Sequence, residues 1–143
     1  MKYIIQIIAG TIFYFLFGWF VFDFLIGEYT ELHTTQLPGF KKNPEAFSYS
    51  FLFASCLAYA CLITYVLSYL IKVNSVKKGF YIAAVIGILV AMMTDFFWYA
   101  SSNFYDTFSV IILDILAAGL CVGLLGAVIS SISLFWKSSE SKN

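Results

Sequence analysis

The stretch GFYIAAVIGILVAMMTDFFWYASS, residues 79–102, decides the fold. Its first sixteen residues carry no charge, and Asp95 then appears before the apolar run has ended. A helix needs roughly 20 apolar residues to cross the ~30 Å hydrocarbon core of a bilayer. The stretch is therefore predicted to span a membrane. An aspartate inside such a helix is costly, which makes Asp95 a candidate functional residue.

The composition of the whole chain agrees with a membrane environment. Of the 143 residues, 62% are hydrophobic and only 11% are charged, whereas soluble domains carry about 25% charged residues. A soluble domain of this size could not bury so much apolar side chain, so the lipid bilayer is the expected surrounding. The net charge is zero and no basic tract exists, which excludes nucleic-acid binding.

Four apolar runs are long enough to cross a bilayer as helices. Because they are continuous and do not alternate with period two, a β-barrel is excluded. The prediction is an all-α integral membrane four-helix bundle forming a single domain, with an outer loop at 27–46 and a polar, frayed tail at 137–143. The spans are expected at about residues 3–26, 47–71, 79–100 and 107–136.

The lysines predict the orientation of these spans. All eight cationic side chains are lysines. The short link after the second span contains Lys72, Lys77 and Lys78 and no acid, while Lys2 lies at the amino terminus. Lysine marks the cytoplasmic side of membrane proteins. Both termini are therefore expected in the cytoplasm, with a location in the cytoplasmic (inner) membrane.

Small residues predict how two of the helices pack. Helices in lipid associate where small side chains allow close approach. The third span repeats small residues every four positions, ending at Asp95, so that this aspartate is expected to point into the bundle. The fourth span contains a G-x-x-x-G motif, which serves either packing within one chain or dimerisation. The predicted packing residues are Ala83, Gly87, Ala91, Gly119 and Gly123.

Three aspartates form the candidate site. Asp95 is expected about 10 Å, and Asp114 about 12 Å, below the outer surface on sequential antiparallel helices. Asp23 is expected on the same side but nearer the interface, where a structural role is the simpler interpretation. No intramembrane lysine is available as a partner. The carboxyl groups are thus expected to be protonated, to accept hydrogen bonds, or to bind a proton or a metal cation.

Aromatic residues near these aspartates are candidates for a cavity lining. Tyr59, Trp98 and Tyr99 are the hydrogen-bond donors that neighbouring helices could offer to the carboxylates. The other interpretation is that Trp98, Tyr99 and Tyr105 anchor the outer end of the third span at the level of the lipid headgroups.

Other chemistry has little support in the sequence. His33 is the only histidine, in an outer loop without the H-E-x-x-H arrangement, and it predicts a solvated side chain and no metal site. The three cysteines lie in apolar runs without C-x-x-C. Nucleotide-binding, nucleophile-elbow and haem-attachment motifs are absent, so that no cofactor and no catalytic residue is predicted.

The chain resembles small bacterial four-span membrane families whose function is not known. The resemblance rests on the aromatic first span with Gly10 and Gly18-Trp19-Phe20, on the acidic polar loop that follows, and on three closely spaced spans. It covers most of the chain and implies no activity.

Three functions follow from these features. The first, and the one that the sequence favours, is a non-enzymatic membrane subunit or partner protein, with a homo-oligomer or another membrane protein as the expected partner. The second is a proton- or cation-coupled transporter or channel in which Asp95 and Asp114 titrate or coordinate. The third, a membrane enzyme with the aspartates as acid and base, lacks the usual nucleophile and histidine.

Overall fold

The computed structural model describes residues 1–35 and 46–140. Residues 36–45 of the predicted outer loop, and the last three residues of the tail, lie outside these ranges. The helices are α1 (Lys2–Trp19) with a π-helical continuation (Phe20–Leu25), α2 (Gly27–Leu32), α3 (Tyr49–Thr64) with a second π-helical continuation (Tyr65–Leu70), α4 (Val76–Ser101) and α5 (Phe108–Glu140).

Four of these elements are long and apolar enough to cross a membrane: Lys2–Leu25, Tyr49–Leu70, Val76–Ser101 and Phe108–Ser138. The all-α four-helix membrane fold predicted from the sequence is therefore confirmed. Part of the predicted outer loop forms the short helix α2, and α5 continues to Glu140, beyond the predicted start of the tail. Continuation of α5 is favourable because Lys137 lies in its last turn, where a cation interacts well with the helix dipole.

The bundle has two ends. We call the end that carries residues 26–35 and 102–107 the loop end, and the end that carries both described termini and residues 71–75 the terminal end. At the terminal end the chain reverses through Lys72, whose φ of 52° is left-handed. Ser75 then caps α4, because its hydroxyl accepts a hydrogen bond from the Lys78 amide at 3.2 Å.

Helix α5 is the central helix of the bundle. Half of its most apolar window is buried, against 22–28% for the other three spans. It packs against α1, α3 and α4, and its interface with α4 is the largest in the molecule. Large side chains such as Phe51 and Met93, 79% and 71% exposed, cover the outside of the bundle. That surface suits lipid and not water.

The α4–α5 interface is close because both helices present small residues. The buried residues of α4 are Gly79, Ala83, Gly87, Ala91 and Asp95, one every four positions. This is the face that the sequence predicted to meet another helix.

The glycines of α5 complete this interface. A Cβ atom added at Gly126 would lie 2.3 Å from the Cβ of Ala83, and one added at Gly119 would lie 2.6 Å from the side chain of Ile88. A Cβ at Gly123 would lie 2.9 Å from the ring of Phe80. The G-x-x-x-G motif therefore packs α5 against α4 within one chain.

One polar side chain links three helices in the terminal half. Gln6 of α1 is completely buried, and its Nε2 donates to the Ile129 carbonyl of α5 at 2.9 Å. The same amide exchanges hydrogen bonds with Ser68 in the continuation of α3, at 3.0 and 3.2 Å. Such contacts hold helices together in an apolar medium, where no water competes for the donor.

Candidate carboxylate site

The site is built around Asp95, in the loop-end half of α4. The carboxylate is only 4% exposed because the small-residue face of α4 turns it toward α5 and away from lipid. Its Oδ1 accepts a hydrogen bond from the Tyr105 hydroxyl at 3.0 Å. Its Oδ2 is buried and meets no hydrogen-bond donor within the two described ranges. One oxygen of a buried acid is therefore left without a donor.

Asp114 of α5 lies near Asp95 and interacts with it electrostatically. Two ionised carboxylates can only accept hydrogen bonds, so neither can satisfy the other unless one carries a proton. The two residues lie on α4 and α5, which share the largest interface in the molecule. The described lysines all lie at the terminal end: Lys2, Lys72, Lys77, Lys78 and Lys137.

Tyr105 belongs to the loop after α4 and closes the site from the loop end. Its pKa is raised above the ordinary tyrosine value by burial, and further by the Asp95 carboxylate, which repels a phenolate and accepts the phenol's hydrogen bond. Asp114 raises the pKa of Tyr105 as well. The phenol therefore remains a hydrogen-bond donor to Asp95 throughout the physiological pH range.

Tyr105 is held in place by a second loop. The backbone around Thr34 pairs with Tyr105 in an antiparallel bridge, and the Thr35 amide donates to the Phe104 carbonyl at 2.8 Å. The Asp106 amide donates to the His33 carbonyl at 3.1 Å. We call this paired structure, residues 33–35 with 103–106, the cap. It fixes the phenol above Asp95.

Side chains reinforce the cap. The Thr35 hydroxyl donates to Asp106 Oδ1 at 2.8 Å and also to the Asn103 carbonyl. The ring of His33 stacks on Tyr29, with ring centroids 4.3 Å apart, and its Nδ1 lies 2.9 Å from the Tyr29 carbonyl. His33 thus has a structural place in the turn after α2.

Two further tyrosines lie within electrostatic range of Asp114. Tyr14 of α1 and Tyr59 of α3 pack ring against ring, with centroids 5.3 Å apart. The charge of Asp114 acts on both phenols. Of the residues predicted to line a cavity, Tyr59 is therefore within electrostatic range of Asp114.

The remaining predicted site residues lie elsewhere. Trp98 and Tyr99 are 39% and 50% exposed, and their rings contact Phe104 and Phe108 at the outside of the loop end. Asp23 is exposed on the π-helical continuation of α1 and lines a separate groove between α1 and α3. The structure thus brings together Asp95, Asp114 and Tyr59, and places the other three apart.

A small cavity reaches Asp114 from the loop end. It has a volume of about 180 Å³, and Tyr105, Asp114, Thr34 and Phe22 are among its lining residues. Toward the terminal end the helices pack around an apolar cluster that includes Ile63, Val122 and Leu125, all fully buried. This cavity therefore approaches Asp114 from the loop end.

The donor set suits a proton better than a metal ion. Within the ranges that the structure describes, no three His, Cys, Asp or Glu side chains come together as a metal site would require. The pair offers carboxyl oxygens and one phenol, whereas calcium takes 6–8 oxygen ligands. Two carboxyl groups in contact can instead share one proton, because like charges at that distance disfavour double ionisation.

Comparison with known proteins finds no match to this chain among protein-family models, curated proteins or solved structures.

Proposed function

We propose that this is a small multi-pass membrane protein whose Asp95–Asp114 pair binds and releases one proton during transport. The observation that carries the proposal is the buried Asp95 Oδ2, which has no hydrogen-bond donor among the described residues and lies near the charge of Asp114. A proton on Asp114 would supply that donor. An acid placed inside a membrane-spanning helix bundle is otherwise an expensive structural residue.

The surroundings of the pair support reversible proton exchange. The loop-end cavity brings water within reach of Asp114, while the apolar cluster toward the terminal end blocks a continuous path. A transporter needs such one-sided access in each of its conformations, because a path open at both ends would dissipate the gradient. In this conformation the proton would exchange with the loop end.

The lysine distribution supports an orientation for this exchange. The described lysines are all at the terminal end, and lysine is enriched on the cytoplasmic side. We therefore place the termini in the cytoplasm and the cap outside, in the inner membrane of a bacterium. The proton would then exchange with the extracytoplasmic side.

The sequence favours a non-enzymatic membrane subunit or partner protein, and the geometry supports that function less well than proton transport. It needs only hydrogen bonding from the aspartates, which leaves Asp95 Oδ2 unexplained. The G-x-x-x-G motif is one of its supports, and Gly119 and Gly123 approach α4 of the same chain. The enzyme alternative has the Cys121 thiol near Asp114, but this side chain is fully buried.

Proton flux into proteoliposomes tests the proposal. With a potassium diffusion potential as the driving force, the wild-type protein is expected to acidify the lumen, and Asp95→Asn and Asp114→Asn are each expected to abolish the flux. Glu28→Gln is the matched control, since Glu28 is an exposed acid at the start of α2. Wild-type flux no greater than that of empty vesicles, or undiminished flux in both aspartate variants, would overturn the proposal.

A further inference from the structure

A groove between α1 and α3 lies next to the carboxyl pair. It has a volume of about 330 Å³ and opens on the loop-end half of the bundle. Tyr14 and Tyr59 form its inner wall together with the buried Cys56, and Trp19 stands at its mouth, 60% exposed. The groove is therefore walled mainly by aromatic rings.

Among the residues that the structure describes, Asp23 is the one charged side chain that lines this groove, with its carboxylate at the mouth. No lysine of residues 1–35 or 46–140 lines the groove to neutralise that charge. Aromatic faces carry negative electrostatic potential and attract cations, most strongly when the cation is poorly hydrated. A carboxylate beside several such faces therefore selects a positive charge on an apolar body.

Asp23 lines the groove from the π-helical continuation of α1. Trp19 and Asp23 are four residues apart, as are Gly18 and Phe22, so these positions lie along one face of the helix. Between Phe20 and Leu25 the turn closes one residue later, and the Ile26 amide bonds to the Val21 carbonyl.

Gly18 keeps the groove open. A Cβ atom added at this position would meet no atom within 4 Å, in contrast to the tightly packed glycines of α5. The absence of a side chain at Gly18 is thus not required for helix packing. It leaves room in front of the tyrosine pair, where a ligand can lie.

We propose that this groove binds a small organic cation, such as a quaternary or protonated amine on an apolar body. A neutral lipid chain would fill the same volume but would leave Asp23 beside hydrocarbon without a counter-charge. An anion would be repelled by Asp23 and by the aromatic faces. Charge complementarity therefore favours the cation over both.

The groove also suggests how the cation is coupled to the proton, a point that rests on the proposed function. Tyr14 and Tyr59 line the groove and lie within electrostatic range of Asp114. A cation held against them is expected to favour the deprotonated pair, so that binding releases a proton and loss of the proton strengthens binding. The titratable groups whose charges interact with Asp114 are Asp95, Tyr105, Tyr14, Tyr59 and Cys121.

Equilibrium binding of radiolabelled benzyltrimethylammonium to the protein in nanodiscs tests the proposal. Saturable binding is expected, weakened about tenfold by Asp23→Asn through loss of the charge interaction. Gly18→Leu is expected to abolish binding by filling the groove, without disturbing the fold. Glu28→Gln removes an equally exposed acid outside the groove and is expected to bind as the wild type does.

A neutral compound of the same shape decides between cation and lipid. In neopentylbenzene, carbon replaces the quaternary nitrogen, and it is expected not to displace the radiolabel. Equal displacement by this compound, unchanged binding in Asp23→Asn, or no saturable binding would overturn the inference. If proton flux through the Asp95–Asp114 pair persists in that case, only the inference on the groove fails; if the flux is absent as well, the proposed function fails with it.

Discussion

At the scale of single residues, the hydrogen bonding of Asp95 governs the site. Tyr105 donates to Asp95 Oδ1, and Oδ2 is buried without a donor among the described residues. Replacement of Tyr105 by Phe keeps the ring and removes the donor. We expect this variant to lose about 1–2 kcal/mol of unfolding free energy at neutral pH, because a nearly buried acceptor loses its partner. Thermal unfolding in detergent measures the loss, and wild-type stability would contradict the role given to this hydrogen bond.

The pH dependence of that loss has a definite sign. The pKa of Tyr105 is raised in the folded protein above its ordinary value of 10.0, first by burial and then by Asp95. Its contribution to stability is therefore fully present below about pH 10 and falls as the pH rises toward the folded-state pKa. The stability difference between wild type and Tyr105→Phe should shrink above about pH 10. A difference that grows with pH would contradict this assignment.

The partners of Asp95 differ in whether their positions could be predicted from the sequence. Their spacing on antiparallel helices placed Asp95 and Asp114 at one depth, because helix rise is regular. Tyr105 was expected only as a membrane anchor. Its position depends on the cap, which pairs two loops about 70 residues apart in the sequence. Helical periodicity does not predict such a pairing. The burial of Gln6 could not be predicted either, because a single amide side chain near the start of a helix is usually exposed.

At the scale of helices, the contact between α4 and α5 determines the geometry of the carboxyl pair. Gly126→Ala would place a Cβ atom 2.3 Å from that of Ala83, so the helix axes must separate. We expect a loss of about 1–3 kcal/mol of unfolding free energy. Gly18→Ala is the matched control, as its added Cβ meets no atom within 4 Å. Chemical denaturation in mixed micelles measures the unfolding free energy of both variants. Equal losses in Gly126→Ala and Gly18→Ala would contradict the close packing of α4 against α5.

The polar link through Gln6 is expected to matter less than this steric contact. Gln6→Leu removes the hydrogen bonds to Ser68 and Ile129 and replaces the amide by an apolar side chain of similar size. Interhelical hydrogen bonds in membranes contribute about 0.6 kcal/mol on average and about 1.7 at most. The same denaturation assay should therefore show a smaller loss than Gly126→Ala. A larger loss would mean that Gln6 positions α1 for the whole bundle.

At the scale of the whole molecule, the orientation in the membrane determines which compartment the Asp95–Asp114 carboxyl pair faces. Single cysteines at Glu31 and at Lys77, in a background where the native cysteines are serine, test it. A membrane-impermeant maleimide added to intact cells should label Glu31→Cys and leave Lys77→Cys unlabelled. The reverse pattern would place the cap in the cytoplasm.

The number of spans and the all-α architecture could be predicted from the sequence, because long uncharged runs leave the backbone no other way to satisfy its hydrogen bonds in lipid. The central place of α5 could not, since apolar residues occur all around each helix and lipid-facing and buried positions look alike. The stretch at 79–102 supplies Asp95 and the small-residue face, but α5 is the helix that the others pack against.

We propose that Asp95 and Asp114 share one proton, and infrared difference spectroscopy between acid and alkaline pH measures that proton directly. We expect a carbonyl band of a protonated carboxylic acid that Asp95→Asn and Asp114→Asn each remove or shift, while Glu28→Gln leaves it unchanged. A band that stays in place in either aspartate variant, or no protonated carboxyl band in the wild-type protein, would contradict it.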